Sequence, residues 1–359
     1  MKTYLFTGFP GFLCNELVKE LLSTRTDIGE MIFLVLPSMK DKALHDLEKY
    51  KKFYPNINYS VVVGDITNSY QQWGDLKNKK DIQFVFHLAA IYDLAVKEKI
   101  AYSVNVNGTK NILEWLKTLP SLERFVYFST AYVAGEREGI IYEHELNKEQ
   151  TFKNHYEKTK YLAEVAVKDS MSEIPQTIIR PGIVIGHSET GKTAKFDGPY
   201  MILNCFHSLR YLPFIPYLGK GDAELNVVPV DYVIKATAHL AHAESGLNKT
   251  FHLTHPQPIL IKEAYELLLY QTLKKRPKGT LPLSMAKACL SIPLLRKWLR
   301  VEKESLDYFT CKTSFDCSET QKALSDTNIK CRTFKTTVTT MVDYYIENEH
   351  DKSKHIVIN

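Results

Sequence analysis

The chain has 359 residues, of which 44% are hydrophobic and 24% charged. These globular proportions exclude a disordered chain, a collagen-like repeat and a disulfide-stapled miniprotein. The length exceeds the usual ~100–150 residues of one domain, so one large or two joined domains are expected. Forty-six Lys+Arg against 41 Asp+Glu leave a net charge of +5, spread along the chain and not marking a nucleic-acid face. The six cysteines (Cys14, Cys205, Cys289, Cys311, Cys317, Cys331) form no C-x-x-C pair and no Cys/His quartet. They read as free thiols in a reducing compartment, with no metal site. The segment Met1–Gly8 lacks a signal-peptide core, and no stretch reaches the ~18 apolar residues of a membrane span, so a cytoplasmic protein is expected.

In chain order, Tyr4–Phe6 reads as a strand running into a glycine turn, and Leu13, Leu17, Leu21 and Leu22 follow at helical spacing. Met31–Leu36, Tyr59–Val63, Phe84–Leu88, Phe125–Phe128 and Thr177–Ile179 are short, mostly apolar runs. Runs of this kind suit strands covered on both faces, and helix-like segments separate them. The repetition predicts an α/β fold with a doubly wound parallel (Rossmann) sheet. From 187 to 226 the texture becomes rich in Gly, Pro and aromatics. Strands are expected again at Asn226–Val230 and Phe251–Thr254, with Asp231 capping a helix through Val233–Leu240 and another helix over Ile261–Leu273. The tail beyond Glu347 reads as frayed. Residues 1–186 thus read as the dinucleotide-binding domain, to which 226–240 and 251–254 return. Residues 187–225 and 256–359 form a smaller interleaved substrate lobe.

Gly8, Pro10, Gly11, Phe12 and Leu13 lie between the first strand and first helix. Gly8 and Gly11 permit a tight turn, and the helix N-terminus offers free N–H groups to a pyrophosphate. The third small position is Cys14. After the second strand no acid stands until Asp41, whereas Ser38 and Lys40 suit a 2′-phosphate, so NADP(H) is preferred and NAD(H) is the alternative. Tyr156 and Lys160 share one helix face four residues apart. An ammonium beside a phenol lowers its pKa from ~10, making Tyr156 a general acid/base, and Lys160 can also donate to the nicotinamide ribose. Ser129 and Thr130 end the Phe125–Phe128 strand, where a parallel sheet forms its ligand crevice.

In these ordered motifs the chain resembles the extended short-chain dehydrogenase/reductases over about residues 3–255. Gly64-Asp65-Ile66-Thr67 is similar to the family's adenine-contacting segment, and His87-Leu88-Ala89-Ala90 to the strand end lining the dinucleotide. Asn105–Thr109 resembles its Asn-bearing helix start, and Arg180–Gly186 the loop beside the nicotinamide. The resemblance implies cofactor contacts from Asp65, Ile66, Ala89, Ala90, Asn105, Pro181 and Ile183. Ser129–Val133, Tyr156-x-x-Thr159-Lys160 and Arg180–Gly186 look most like fatty acyl-CoA reductases and thioester-reductase domains. That branch implies Thr130 in the hydroxyl role with Ser129 as neighbour. It often carries an Arg directly after the second strand, where this chain has Leu36. The implied activity is hydride transfer from NAD(P)H to a carbonyl or an acyl thioester on CoA or a separate carrier, with Tyr156 as proton donor. A homodimer through packed helices is expected by the same analogy.

A nucleotide-sugar epimerase or dehydratase holding NAD tightly uses the same Tyr/Lys pair, and a non-catalytic dinucleotide-binding regulator is a third reading. Lys192, Lys195, Tyr200, Phe206, Arg210 and Tyr211 suit either lobe packing or an acyl chain with an anionic headgroup. Residues 281–302 combine apolar and basic side chains around Pro293. They read as an edge helix with a solvated basic face, with binding to a membrane surface as the alternative.

Overall fold

A computed structural model describes residues 1–93 and 95–358. Its centre is a seven-stranded, wholly parallel sheet. The strands are β1 (Lys2–Thr7), β2 (Ile28–Val35), β3 (Asn58–Val63), β4 (Phe84–His87), β5 (Arg124–Phe128), β7 (Gln176–Pro181) and β12 (Lys249–Leu253). Their order is β12-β7-β5-β4-β1-β2-β3. Short strands fill the numbering between: β6 (Gly139–Ile141), β8 (Ile183–Ile185), β9 (Tyr217–Leu218), β10 (Glu224–Leu225) and β11 (Val227–Pro229).

The apolar runs are explained by two-sided burial. Tyr4 and Phe6 of β1 face one layer, with α1 (Phe12–Thr24), α2 (Lys40–Phe53) and α7 (Val230–His242) packed over them. Leu5, between them, faces the other layer under α4 (Gly108–Leu116) and α5 (His155–Asp169). Aromatic rings tie the first layer across strands: Tyr4 stacks on Phe84 with centroids 4.8 Å apart and Phe6 on Phe86 at 5.2 Å.

A second core joins α6 (Tyr200–Ser208), α8 (Ile261–Leu273) and α12 (Phe334–Asn348) through Leu203, Phe206, Tyr265, Leu268, Met341 and Tyr345. Between α8 and α12 the chain forms α9 (Leu283–Leu290), α10 (Pro293–Leu299) and α11 (Ser318–Ala323). No helix among the described residues is long and apolar enough to cross a membrane.

Three local expectations are corrected. The Asn226–Val230 segment gives β11, which pairs with β8 in a two-stranded ladder outside the central sheet. Asp231 does not cap α7, whose N-terminus has no side-chain cap. Its carboxylate instead accepts from the amide and hydroxyl of Ser188, both at 2.8 Å. The polar tail is tied down: Lys354 donates to Thr193 O at 3.0 Å and its own carbonyl accepts from Phe196 N.

Candidate active site

The carboxyl ends of β1, β4, β5 and β7 converge on a cavity of about 860 Å³. The first wall is the glycine turn. Gly8 sits at φ +86°, and a Cβ there would stand 2.8 Å from Ala89 N. A Cβ on Gly11 would stand 2.6 Å from Gly8 O, which accepts the Gly11 amide at 2.8 Å. Only glycine fits either place. Helix α1 starts at Phe12 with no side-chain cap and no acid in its first turn. Its first N–H groups stay free for an anion beside Pro10, Phe12 and Leu13, which line the cavity. Ala89 and Ala90 line the adjoining wall, and Pro181 and Ile183 close it from β7 and β8.

His87 is framework beneath that wall. Its Nδ1 meets Thr7 Oγ1 at 2.7 Å and its Nε2 meets Thr109 Oγ1 at 3.1 Å. The Thr109 hydroxyl is spent on Asn105 O, so Nε2 carries the ring proton. Burial, then the Lys160 charge, lowers His87 to about 3, so it stays neutral.

Thr130 opens the turn after β5, and its hydroxyl faces the Tyr156 phenol. Tyr156 and Lys160 project from α5, whose N-terminus Asn154 caps by accepting Glu157 N at 2.9 Å. The expected effect of lysine on tyrosine is corrected. Burial raises the Tyr156 phenol well above its ordinary range, and the Thr130 hydroxyl offsets part of the rise. Lys160 points elsewhere: Nζ donates to Phe128 O at 2.5 Å and lies 4.5 Å from the Tyr127 ring centroid. Burial lowers it to about 7, with Glu164 opposing. The site therefore holds a protonated phenol beside a lysine that titrates near neutrality.

Ser129 also lines the cavity, but its hydroxyl donates to Glu164. Glu164 forms a fully buried ion pair with Arg180, Nη2 to Oε1 at 2.6 Å. Ser129 thus joins β5 to α5 and β7 rather than offering a free hydroxyl. Asn105 lies behind the wall, in a π-helical turn (Tyr102–Asn107) continuous with the preceding α3 (Glu98–Ala101), so the helix start expected at Asn105 comes earlier. Its amide holds both backbone groups of Ile91, at 2.9 and 3.3 Å, and donates to Thr159 Oγ1 at 3.0 Å. That clamps the loop after β4 onto the helix bearing Tyr156 and Lys160.

Ser38 and Lys40 are solvent-exposed around the head of α2, outside the cavity wall, which Lys42 of the same helix reaches. Asp65 and Ile66 follow β3, also outside the wall. Asp65 accepts Thr67 N at 2.8 Å, and Ile66 covers Gly108.

Sequence reasoning passed over several neighbours. Tyr92 meets the Tyr156 ring edge-on, centroids 5.1 Å apart. Tyr308 donates to Glu157 at 2.7 Å and accepts from Asn154 at 3.1 Å, tying α5 to the distant lobe. Asp197 lines the cavity and is raised to about 6 by burial. Tyr92 follows the His-Leu-Ala-Ala motif by two residues, a local signal. Tyr308 had none, lying 152 positions from Tyr156.

Beyond Tyr156 the cavity runs between α6, α8, α9 and α10, past Met201, Ile202, Leu209, Tyr265, Leu290 and Leu299. Of Lys192, Lys195, Tyr200, Phe206, Arg210 and Tyr211, only Lys195 lines it. Tyr200 and Phe206 are buried in the lobe core, and Lys192 and Tyr211 are exposed.

Comparison with known proteins agrees with this arrangement. Fatty acyl-CoA reductase wat of Drosophila melanogaster is 26% identical over 275 residues, covering 66% of this chain and 53% of that protein. The chain thus spans about half the length of this relative. The terminal R domain of the myxalamid PKS-NRPS biosynthetic pathway superposes with a TM-score of 0.79 at 24% identity, covering 98% of this chain and 92% of that one. UDP-glucuronic acid 4-epimerase from Bacillus cereus, in complex with NAD, superposes with a TM-score of 0.66 at 19% identity over 97% of both chains. The NAD-binding domain model of the male sterility protein matches residues 6–237, which include every residue of the glycine turn and of the Thr130/Tyr156/Lys160 group. The chain belongs to that family, an acyl-CoA-reductase-like member of the extended short-chain dehydrogenase/reductases built to bind a nicotinamide dinucleotide.

Proposed function

We propose that the protein is an NADPH-dependent reductase of acyl thioesters. The observation that carries this reading is one continuous cavity, running from the uncapped glycine turn past Thr130 and Tyr156 into an apolar helical lobe. A pyrophosphate fits at Gly8, Gly11 and the α1 N-terminus, where any side chain would collide. The basic Lys40 and Lys42, with Ser38 beside them, suit a 2′-phosphate, which is the ground for NADP over NAD. When bound, the reduced nicotinamide supplies hydride to the substrate carbonyl carbon.

The Thr130 hydroxyl and Tyr156 phenol flank the position of the carbonyl oxygen and polarise it. Burial keeps the phenol protonated, so Tyr156 can deliver its proton to the oxyanion as charge develops there. Lys160, which lines the same cavity, would donate to the nicotinamide ribose. The resulting hemithioacetal then breaks its C–S bond to give an aldehyde and a free thiol. The apolar walls beyond Tyr156 suit an acyl chain, whereas a nucleotide sugar needs polar donors there, which sets the epimerase reading second. Tyr156→Phe tests the assignment: acyl-CoA-dependent NADPH oxidation falls by about 10²–10⁴-fold while dinucleotide affinity holds. Undiminished turnover of a confirmed substrate removes Tyr156 from the mechanism.

A further inference from the structure

The cavity opens on a face of the lobe with its own chemistry. Leu212 and Trp298 both line the cavity and are exposed to solvent, at 45% and 53%. Close to these two in the chain stand further exposed apolar side chains: Tyr211 at 85%, Leu294 at 81%, Ile292 and Met285 at 55%, and Phe214 at 54%. They come from segments that bond to one another. Lys275 Nζ, after α8, donates to Arg210 O and Leu212 O at 2.8 Å, and Ser208, at the end of α6, donates to Trp298 O at 3.1 Å. Exposed apolar side chains gathered on mutually bonded segments mark an interaction surface.

The charge around the patch names the partner. Residues 267–301 contain Lys274, Lys275, Arg276, Lys278, Lys287, Arg296, Lys297 and Arg300, and no Asp or Glu. Lys287 is paired with Asp307, but Lys274, Arg276, Lys278 and Lys297 have no carboxylate partner among the described residues. Exposed Trp, Tyr, Phe and Leu side chains on segments this rich in lysine and arginine match the interface of an anionic bilayer, where aromatic rings sit at headgroup depth and cations meet lipid phosphates.

We propose that this face docks on anionic lipid membranes through Tyr211, Phe214, Leu294 and Trp298, with the cavity mouth turned toward the bilayer. On the acyl-thioester reading, an acyl chain or its aldehyde would then pass between cavity and lipid without crossing water. The docking itself stands on the patch alone, so binding and turnover test separate claims.

The experiment uses the whole chain with vesicles of phosphatidylcholine, with and without phosphatidylserine. Trp73 and Trp115 are fully buried, so solvent-sensitive tryptophan fluorescence reports Trp298. The protein should co-sediment with phosphatidylserine vesicles at low salt and release as salt rises. Its emission should shift to the blue and be quenched by brominated acyl chains. Lys274→Glu/Arg276→Glu/Lys278→Glu should lower partitioning by on the order of a hundredfold. Tyr211→Ser/Phe214→Ser/Leu294→Ser should remove the spectral shift, with turnover of a water-soluble substrate kept in both variants. Failure to bind phosphatidylserine vesicles at low salt overturns the proposal, as does parent-like partitioning of either triple variant. Capture of an acidic carrier protein, or self-association, that depends on the patch while vesicles are ignored overturns it equally.

Discussion

Tyr156 and Lys160 stand four residues apart on α5, and both are buried. The spacing suggests an ammonium that acidifies a phenol, but burial dominates and favours the neutral form of each, raising the phenol and lowering the ammonium. Because Lys160 resists protonation down to about 7 in the folded chain, against ~10.4 when exposed, the unfolded chain binds more protons between those values. Stability from this group therefore rises as pH climbs from about 7 to 10. Lys160→Met should be more resistant to denaturant than the parent at or below pH 7, with the difference shrinking toward pH 10. Urea melts at pH 6.5 and 9.5 check the sign. Thr130→Val should cost about 10²–10³-fold in turnover by removing one donor to the developing oxyanion, with steady-state kinetics as the readout. For cofactor choice, Lys40→Ala/Lys42→Ala should weaken NADPH binding and leave NADH binding unchanged in a fluorescence titration. Equal losses for both dinucleotides would place these lysines outside 2′-phosphate recognition.

At the scale of elements, the site is held by links between strands and α5 rather than by α5 itself. Ser129, Glu164 and Arg180 join β5, α5 and β7 through a buried pair, and Asn105 clamps the β4 loop to Thr159. Glu164→Gln leaves the Arg180 charge buried without its counter-ion and should cost about 3–5 kcal/mol of stability by denaturant titration. Periodicity and glycine placement made the strands, α1, α5 and the turn legible, because two-sided burial and positive-φ geometry leave local marks on a sequence. The roles of Ser129 and Asn105 were not legible. A hydroxyl at a strand end looks the same whether it meets substrate or a glutamate brought in by packing 35 residues away. Asp231 misled for a related reason: an acid in a first helical turn reads as a cap, yet Ser188 takes its carboxylate.

For the molecule as a whole, the sheet supplies a rigid edge on which the dinucleotide turn and the Thr130/Tyr156/Lys160 group meet, and the helical lobe supplies the apolar depth beyond them. The cofactor half could be read from ordered motifs. The lobe could not, because its cavity is walled by residues from α6, α8, α9 and α10 that share no motif, and Tyr308 reaches the α5 N-terminus only through the fold. The most direct measurement incubates the full chain with NADPH and a long-chain acyl-CoA and follows NADPH oxidation together with free thiol release. The account predicts thiol released in step with aldehyde formed, faster with NADPH than NADH, and lost in Tyr156→Phe. Protein that leaves every acyl thioester intact yet interconverts nucleotide sugars with no net oxidation of NADPH would contradict it.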